Sequence, residues 1–266
     1  MAEARTQSGT LFTNAAAYDR MMGRWSRRLA PLLVGFGGCN AGDRVLDVGC
    51  GTGSLAFALP RSVGQVTGID KVGAYVAEAT RLAPDGRFRF QEGDACALPF
   101  AAASFERAYC MLVLQFIPDA AKAVAEMRRV VRPGGMVTAA IWDAFGGMTH
   151  TRMVWDIAAT LDPAIVPMLI RPLGQPGEME AAWREAGLVD IERTELVIRF
   201  DFASFEDYWE PLTEEGPVSA LVRGLSADLR AKLVAQVRRA YCANLPEGPR
   251  SFAGVAWACR GTVPAT

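Results

Sequence analysis

One histidine, His150, stands in 266 residues, and the six cysteines lie apart at 39, 50, 96, 110, 242 and 259. With no C-x-x-C pair and no Cys/His cluster, no metal site is expected. Separate reduced thiols are the simplest reading. An excess of one charge is also missing, since 28 basic residues meet 29 acidic ones for a net charge of -1. Nucleic-acid binding usually shows as a basic excess or stripe, so no nucleic-acid partner is expected. No apolar run is long enough to cross a bilayer. Met1–Thr10 is polar and lacks the apolar region of a secretion signal, so a cytoplasmic location is expected. What is present is globular in character, 51% hydrophobic and 21% charged. The length suits one large α/β domain, or one domain plus a cap. Such a chain buries enough apolar surface to need no covalent staple.

Apolar runs and amphipathic stretches alternate along the chain. Residues 1–13 are expected to be a loose arm, with Asn14 as N-cap of a first helical segment. A second helix covers roughly 26–34 and is stopped by Gly35, Gly37 and Gly38. Strands are expected at 45–48, 65–70, 88–91, 105–114 and 136–142. Between them, helices are expected from the glycines to Leu59, over 74–81 and from Pro118–Asp119 onward. On that last helix Ala120, Val124, Met127 and Val131 share a face. Strand–helix repetition of this kind implies a parallel sheet covered on both faces. After Asp143 the pattern loosens. Helical pieces fall near 152–161, at Met179–Ala186 and over 203–245, with strands at 191–202 and 252–260.

The sharpest local signal is Asp47-Val48-Gly49-Cys50-Gly51-Thr52-Gly53. It follows a strand, and its glycines permit a tight turn with close backbone approach to a ligand. The dinucleotide pattern G-x-G-x-x-G fails, because Ser54 stands at the third glycine position. No Lys-Ser/Thr pair follows to cradle a triphosphate. Asp47 repels a pyrophosphate and attracts an ammonium group. Asp70 ends the next strand, placed to accept from both hydroxyls of a ribose. Asp94, in Gly93-Asp94-Ala95, is placed to accept from the amine of an adenine. A ligand with ribose, adenine and a cationic amino-acid end satisfies all three acids.

Those motifs resemble a known family. Val45–Gly53 is similar to motif I of the class I S-adenosylmethionine (SAM)-dependent methyltransferases, and Gly68-Ile69-Asp70 to their second motif. Gly93-Asp94-Ala95-Cys96-Ala97-Leu98-Pro99-Phe100 resembles the segment after their third strand. Ser104–Glu106 and Leu114–Asp119 resemble their fourth-strand region. Val130–Gly135 resembles the turn before their fifth strand. The matches run in order over residues 43–142. Their character is that of the ubiquinone/menaquinone-biosynthesis branch and its small-molecule relatives, and Ala256–Gly261 resembles that branch's last strand.

The resemblance implies a Rossmann-like, seven-stranded, doubly wound α/β sheet with an antiparallel last strand and a helical cap. It implies an N-terminal helical lid over 1–40, a SAM-binding core over 41–143, and cap insertions plus closing strands over 144–266. It further implies that Gly49, Cys50, Gly51 and Gly53 line the methionine moiety, with Asp47 supporting the loop or the ammonium. Asp70 then binds the ribose, Lys71 and Val72 flank the adenine, and Asp94 and Ala95 hold its edge. Cys110 and Met111 sit by the sulfonium. Two departures stand out. Phe105-Glu106 replaces the common F-D, and Gln115 or Phe116 stands where a histidine is often found.

The implied activity is methyl transfer from SAM to a small, apolar or aromatic acceptor, leaving S-adenosylhomocysteine. Alternatives are a SAM-binding regulator without turnover and a methyltransferase of RNA or protein. The balanced charge and the lack of an N-P-P-Y motif weigh against the last. In-line displacement needs alignment and exclusion of water, and a base only if the acceptor must lose a proton. No base is obvious. His150 has two readings, catalytic and structural, and so has Trp142-Asp143. Tyr18 and Arg24 are expected in a lid that touches the SAM carboxylate, or in a helix packed on the sheet edge. Cys50, Cys96 and Cys110 raise arsenite methylation against simple burial. Trp155, Met168, Trp183, Tyr208 and Trp209 either line an acceptor pocket or belong to the core.

Overall fold

In the computed structural model, residues 15–165 and 171–265 are described. The arm expected over 1–13, Asn14 and Met168 lie outside them. The order of elements is α1 (Ala15–Tyr18), a π turn (Asp19–Gly23), α2 (Arg24–Gly37), β1 (Arg44–Val48), β2 (Gln65–Asp70), α3 (Gly73–Leu82) and β3 (Phe88–Glu92). Then come β4 (Phe105–Met111), α4 (Ala120–Val130), β5 (Val131–Trp142), α5 (Thr149–Leu161), α6 (Glu178–Glu185) and β6 (Val189–Phe202). The chain closes with α7 (Phe205–Glu214), α8 (Gly216–Gly224), α9 (Ala227–Cys242) and β7 (Arg250–Thr262). The strands form one sheet in the order β3-β2-β1-β4-β5-β7-β6. β1 pairs parallel with β2 and β4, β2 with β3, and β4 with β5. β7 runs antiparallel to β5, with Ala139 opposite Cys259. The doubly wound sheet with an antiparallel last strand is therefore present.

The chain divides into two compact units. The larger comprises Ser26–Trp142, Arg171–Leu196 and Ala256–Thr266; the smaller comprises Met1–Trp25, Asp143–Ile170 and Val197–Val255. One cut, between Trp142 and Asp143, falls within a residue of the expected boundary at 143, whereas most of α2, which precedes 40, and all of α6 belong with the larger unit.

The larger unit's core explains its strands. Leu46, Val48, Ala108, Cys110, Val137, Ala139 and Ile141 are buried in one cluster with Val124 and Met127 of α4. Such apolar runs suit strands covered on both faces. Asp119 caps α4 by accepting from Lys122 N at 3.0 Å. α2 runs on through Gly35 to Gly37, past its expected end. It stops at Gly38, whose φ of +67° is glycine territory and whose N–H reaches Val34 O at 2.8 Å. At Gly37 a Cβ would lie 2.5 Å from Tyr109 Cε1, so a side chain there would force α2 off the sheet.

The smaller unit is an aromatic cluster. Trp25, Phe200, Phe202, Phe205, Tyr208 and Tyr241 are all buried. Ring centroids lie 5.0 Å apart for Trp25 and Phe200 and 5.3 Å for Tyr208 and Tyr241. The long helical stretch expected over 203–245 is three helices, separated at Glu215 and at Leu225–Ser226. On α9, Leu233, Val237 and Tyr241 are buried.

Candidate active site

The glycine loop leaves β1 at the carboxyl edge of the parallel strands, where α/β folds place ligands. Gly49, Gly51 and Gly53 all have positive φ, at +73°, +51° and +91°. The expected helix to Leu59 is only a single 3-10 turn, Ala56–Ala58. Leu59 precedes Pro60 and is pushed to an extended ψ of 137°, which ends it. Asp47 is 1% exposed, and its Oδ2 accepts from Ala56 N at 3.2 Å. Burial pushes its carboxyl up to about 7, against the Ala56 bond that lowers it. Of the two roles expected for Asp47, the structure shows it bracing the loop.

Asp70 ties the loop to the neighbouring strand end. Its Oδ2 accepts from Gly51 N and its Oδ1 from Val72 N, both at 2.9 Å. Gly49 and Cys50 N–H groups both donate to Ile69 O, at 2.7 and 3.0 Å. Burial raises the Asp70 carboxyl, and the backbone N–H groups of Val72, Gly51 and Lys71 oppose that rise. Two oxygens offer four lone pairs, so with these N–H groups bound the carboxylate still has capacity for a ligand hydroxyl. This donor set fits a ribose diol beside a cationic group, and it would repel phosphates.

Lys71 is 83% exposed and lies 3.8 Å from Asp94, a rim pair of little energetic weight. Asp94 uses Oδ1 to accept from Cys96 N at 2.8 Å, shaping its own turn. Ala95 packs against the core cluster. That turn has a brace the sequence did not reveal. Glu126 Oε2 accepts from Leu98 N at 2.8 Å, and Arg129 donates to the carbonyls of Leu98 and Phe100.

Met111 ends β4 and is 8% exposed. Cys110 is fully buried among the core residues, and burial raises its thiol far above the usual range. Its side chain therefore serves packing, and a place beside the sulfonium is not seen for its sulfur. Cys50 is likewise buried, with its thiol pushed up by desolvation. Neither thiol is poised as a thiolate, which removes support from arsenite chemistry. Just after β4, Leu112 holds a φ of +65° while its N–H bonds Ala140 O at 2.7 Å. A leucine rarely adopts that conformation. Gln115, where a histidine is common in the family resembled, is 7% exposed and accepts from Trp142 N at 3.0 Å. It thereby links the strand ends of β4 and β5. Asp143 Oδ1 caps its own turn through Phe145 and Gly146 N–H.

The remaining candidates separate. Trp183 is fully buried in the larger unit and donates Nε1–H to Val137 O at 3.2 Å. It is core, not pocket lining. Trp155 and Tyr208 are buried in the smaller unit, and Tyr208 donates to His150 O at 2.7 Å. Trp209 stacks on Phe205 at 5.9 Å. Tyr18 ends α1, half-buried. Arg24 does not present a free fork to a carboxylate ligand. Its Nη1 donates to Asp207 Oδ1 at 2.7 Å and its Nη2 to Asp207 O at 3.1 Å. The partner lies 183 residues away in sequence, so no local pattern could have announced it. His150 is 2% exposed in α5.

Comparison with known proteins agrees with this geometry. Residues 46–139 match the family model described as a methyltransferase domain. The chain is 34% identical over 181 residues to a ubiquinone biosynthesis O-methyltransferase of Paracidovorax citrulli, covering 64% of this chain and 69% of that protein. It is 39% identical over 104 residues to a 2-methyl-6-phytyl-1,4-hydroquinone methyltransferase of Synechocystis, covering 38% of this chain and 33% of that protein. Other curated relatives are matched over about half of their length or less. Among solved structures, the YcgJ protein of Bacillus subtilis superposes with a TM-score of 0.60 at 22% identity, covering 89% of this chain and 98% of that one.

Proposed function

This chain belongs to the SAM-dependent methyltransferase family, and from that premise we propose that it methylates a small apolar or aromatic acceptor. The observation that carries the proposal is the double latch of Asp70, one oxygen on Gly51 N and the other on Val72 N. It fixes a carboxylate at the carboxyl edge of the sheet with lone pairs left for a ribose diol. SAM, when bound, supplies an activated methyl group on a sulfonium. Everything else falls to the chain. Gly49, Gly51 and Gly53 let backbone approach the amino-acid end, and Asp47 holds their turn from below. Val72 and the Asp94–Ala95 turn flank the base. Alignment and exclusion of water are the contributions that a displacement of this kind requires.

A quinol-type acceptor accords with the names of the two curated relatives. The near-zero net charge supports a small molecule over nucleic acid. No helix among the described residues is long and apolar enough to cross a membrane, and we take the location as cytoplasmic. We assign cofactor binding to 41–143 and acceptor selection to 144–266.

The test uses purified protein, isotope-labelled SAM and a small-molecule extract. Mass spectrometry should find a labelled methylated product, with S-adenosylhomocysteine above an Asp70→Ala control. Absence of SAM binding by calorimetry would overturn the proposal. Binding without any product would favour a regulator without turnover.

A further inference from the structure

Charged side chains that leave water normally take a partner of opposite charge. Arg24, Arg107 and Arg129 follow that rule, with Asp207 at 2.7 Å, Asp43 at 2.8 Å and Glu126 at 2.6 Å. Arg171 departs from it. The residue is half-buried, and burial pushes its guanidinium down from the ordinary value. Its guanidinium lies 5.2 Å from the Phe116 ring centroid, and among the described residues no hydrogen bond or ion pair reaches it. A ring face satisfies none of its five N–H donors. A guanidinium keeps its charge near neutral pH, so an anion has to meet the deficit, not the loss of a proton.

Phe116 shows where in the larger unit this cation stands. It ends a 3-10 turn, Leu114–Phe116, that follows β4. Phe116 N–H donates to Val113 O at 2.8 Å, and Gln115 ties the turn to Trp142 at the end of β5. Val113 also meets the glycine loop, since a Cβ at Gly49 would collide with its side chain. In the sheet order, β3, β2 and β1 lead to Asp94, Asp70 and the glycine loop, the groups that suit the cofactor. β4 and β5 lie beyond β1, and their ends carry none of those three acids. Arg171 therefore stands on the half of the sheet edge that adjoins the cofactor groups and lies outside them. Its own turn fixes it there. Gly174 N–H reaches Arg171 O at 3.1 Å, and Leu173 packs against the core cluster with a left-handed φ of +62°. Strain of that kind persists where the surrounding structure imposes it.

A guanidinium offers a planar fork of donors that a carboxylate meets with two parallel bonds, and its single charge matches a monoanion. We propose that Arg171 binds the carboxylate of the methyl acceptor, so that the substrate is an acidic small molecule with an apolar body against Phe116. This rests on the methyltransferase reading and deepens it by one group. The carboxylate anchors the acceptor and is not itself the methylated atom.

The test compares benzoate with benzamide, its neutral near-isostere, by ligand-detected NMR titration of the full chain with the cofactor site filled by S-adenosylhomocysteine. The wild type should prefer benzoate by about tenfold or more, as a charge-assisted two-point contact implies. Arg171→Met keeps an unbranched stem on Phe116, removes the charge and should bring the ratio close to one. Arg171→Lys keeps the charge without the fork and should give an intermediate ratio. S-adenosylhomocysteine affinity, read by calorimetry, should stay as in the wild type for both variants. Circular dichroism checks folding. Equal affinity for the two probes in the wild type, a preference that survives Arg171→Met, or no benzoate binding at millimolar concentration overturns the proposal. If Arg171→Met does not fold, an unchanged ratio in Arg171→Lys overturns it instead. A loss of S-adenosylhomocysteine affinity in Arg171→Met would give Arg171 to the cofactor's own carboxylate, and that also overturns it. S-adenosylhomocysteine binding without benzoate preference sinks this inference alone, whereas no such binding by the wild type sinks the methyltransferase reading beneath it.

Discussion

The glycine loop of the larger unit and the aromatic cluster of the smaller one handle buried polarity in opposite ways. In the loop, the carboxyl groups of Asp47, Asp70 and Asp94 each accept from backbone N–H groups. The loop's shape is thus specified before any ligand arrives, which is what preorganised binding requires. In the cluster, rings set the shape, and His150 Nδ1 and Arg24 Nε have no hydrogen-bond partner among the described residues. The first region binds one fixed ligand by polar geometry. The second is a packed apolar core with few polar points.

The largest effect expected from breaking that contrast is at Asp70. Asp70→Ala removes both latches and the ribose acceptor together. Charge-assisted bonds contribute about 1.5–3 kcal/mol each, so SAM affinity should fall by about 100-fold or more by calorimetry. The near-UV dichroism of the aromatic cluster should stay as in the wild type. Loss of that signal would mean the two regions are less separable than their hydrogen bonding suggests.

The converse test is Gly254→Ala. A Cβ at Gly254 would lie 1.9 Å from Phe200 Cε2. Phe200 is fully buried between Trp25 and His150, so its ring has little room to give. Overpacking of this kind costs roughly 1–3 kcal/mol. A lowered denaturant midpoint with SAM affinity close to wild type is the expected outcome. An unchanged midpoint would show that the cluster is loosely packed and would weaken the contrast.

The contrast also explains what was legible in the sequence. The loop could be read because its determinants are local. The acid, the three glycines and Asp70 fall within 47–70, each demanded by backbone geometry. The strands β1 to β5 and the Asp119 cap were legible for the same reason. The short helix after Gly53 was misread because the pull of Pro60 on Leu59 outweighed helix propensity. Trp183 could not be told from a pocket residue, since an aromatic at helical spacing reads alike in a core and in a cleft. Its bond to Val137 O crosses 46 residues. Arg24 and Asp207 lie farther apart still, and the left-handed Leu112 carries no side-chain signal at all. Charge partners and strain set by tertiary packing leave no periodicity to read.

The smallest expected effect concerns Asp47, the acid that meets backbone rather than water. Burial holds its carboxyl at about 7, whereas the unfolded chain has it near the ordinary value of about 4. The folded state therefore keeps the proton more tightly. Stability from this group is complete below about pH 4 and is lost as pH rises through about 7. Asp47→Asn, which can still accept from Ala56 N, should lack that loss, so its melting temperature relative to wild type should climb between pH 5 and 8. A cationic ligand held against the loop favours the ionised carboxyl. SAM binding to the wild type near pH 7 should then release roughly half a proton, read from calorimetry in buffers of different ionisation enthalpy. The Asn variant should release none at this site. Equal proton release by both proteins would mean that Asp47 is already ionised in the free loop, and that its backbone bond outweighs its burial.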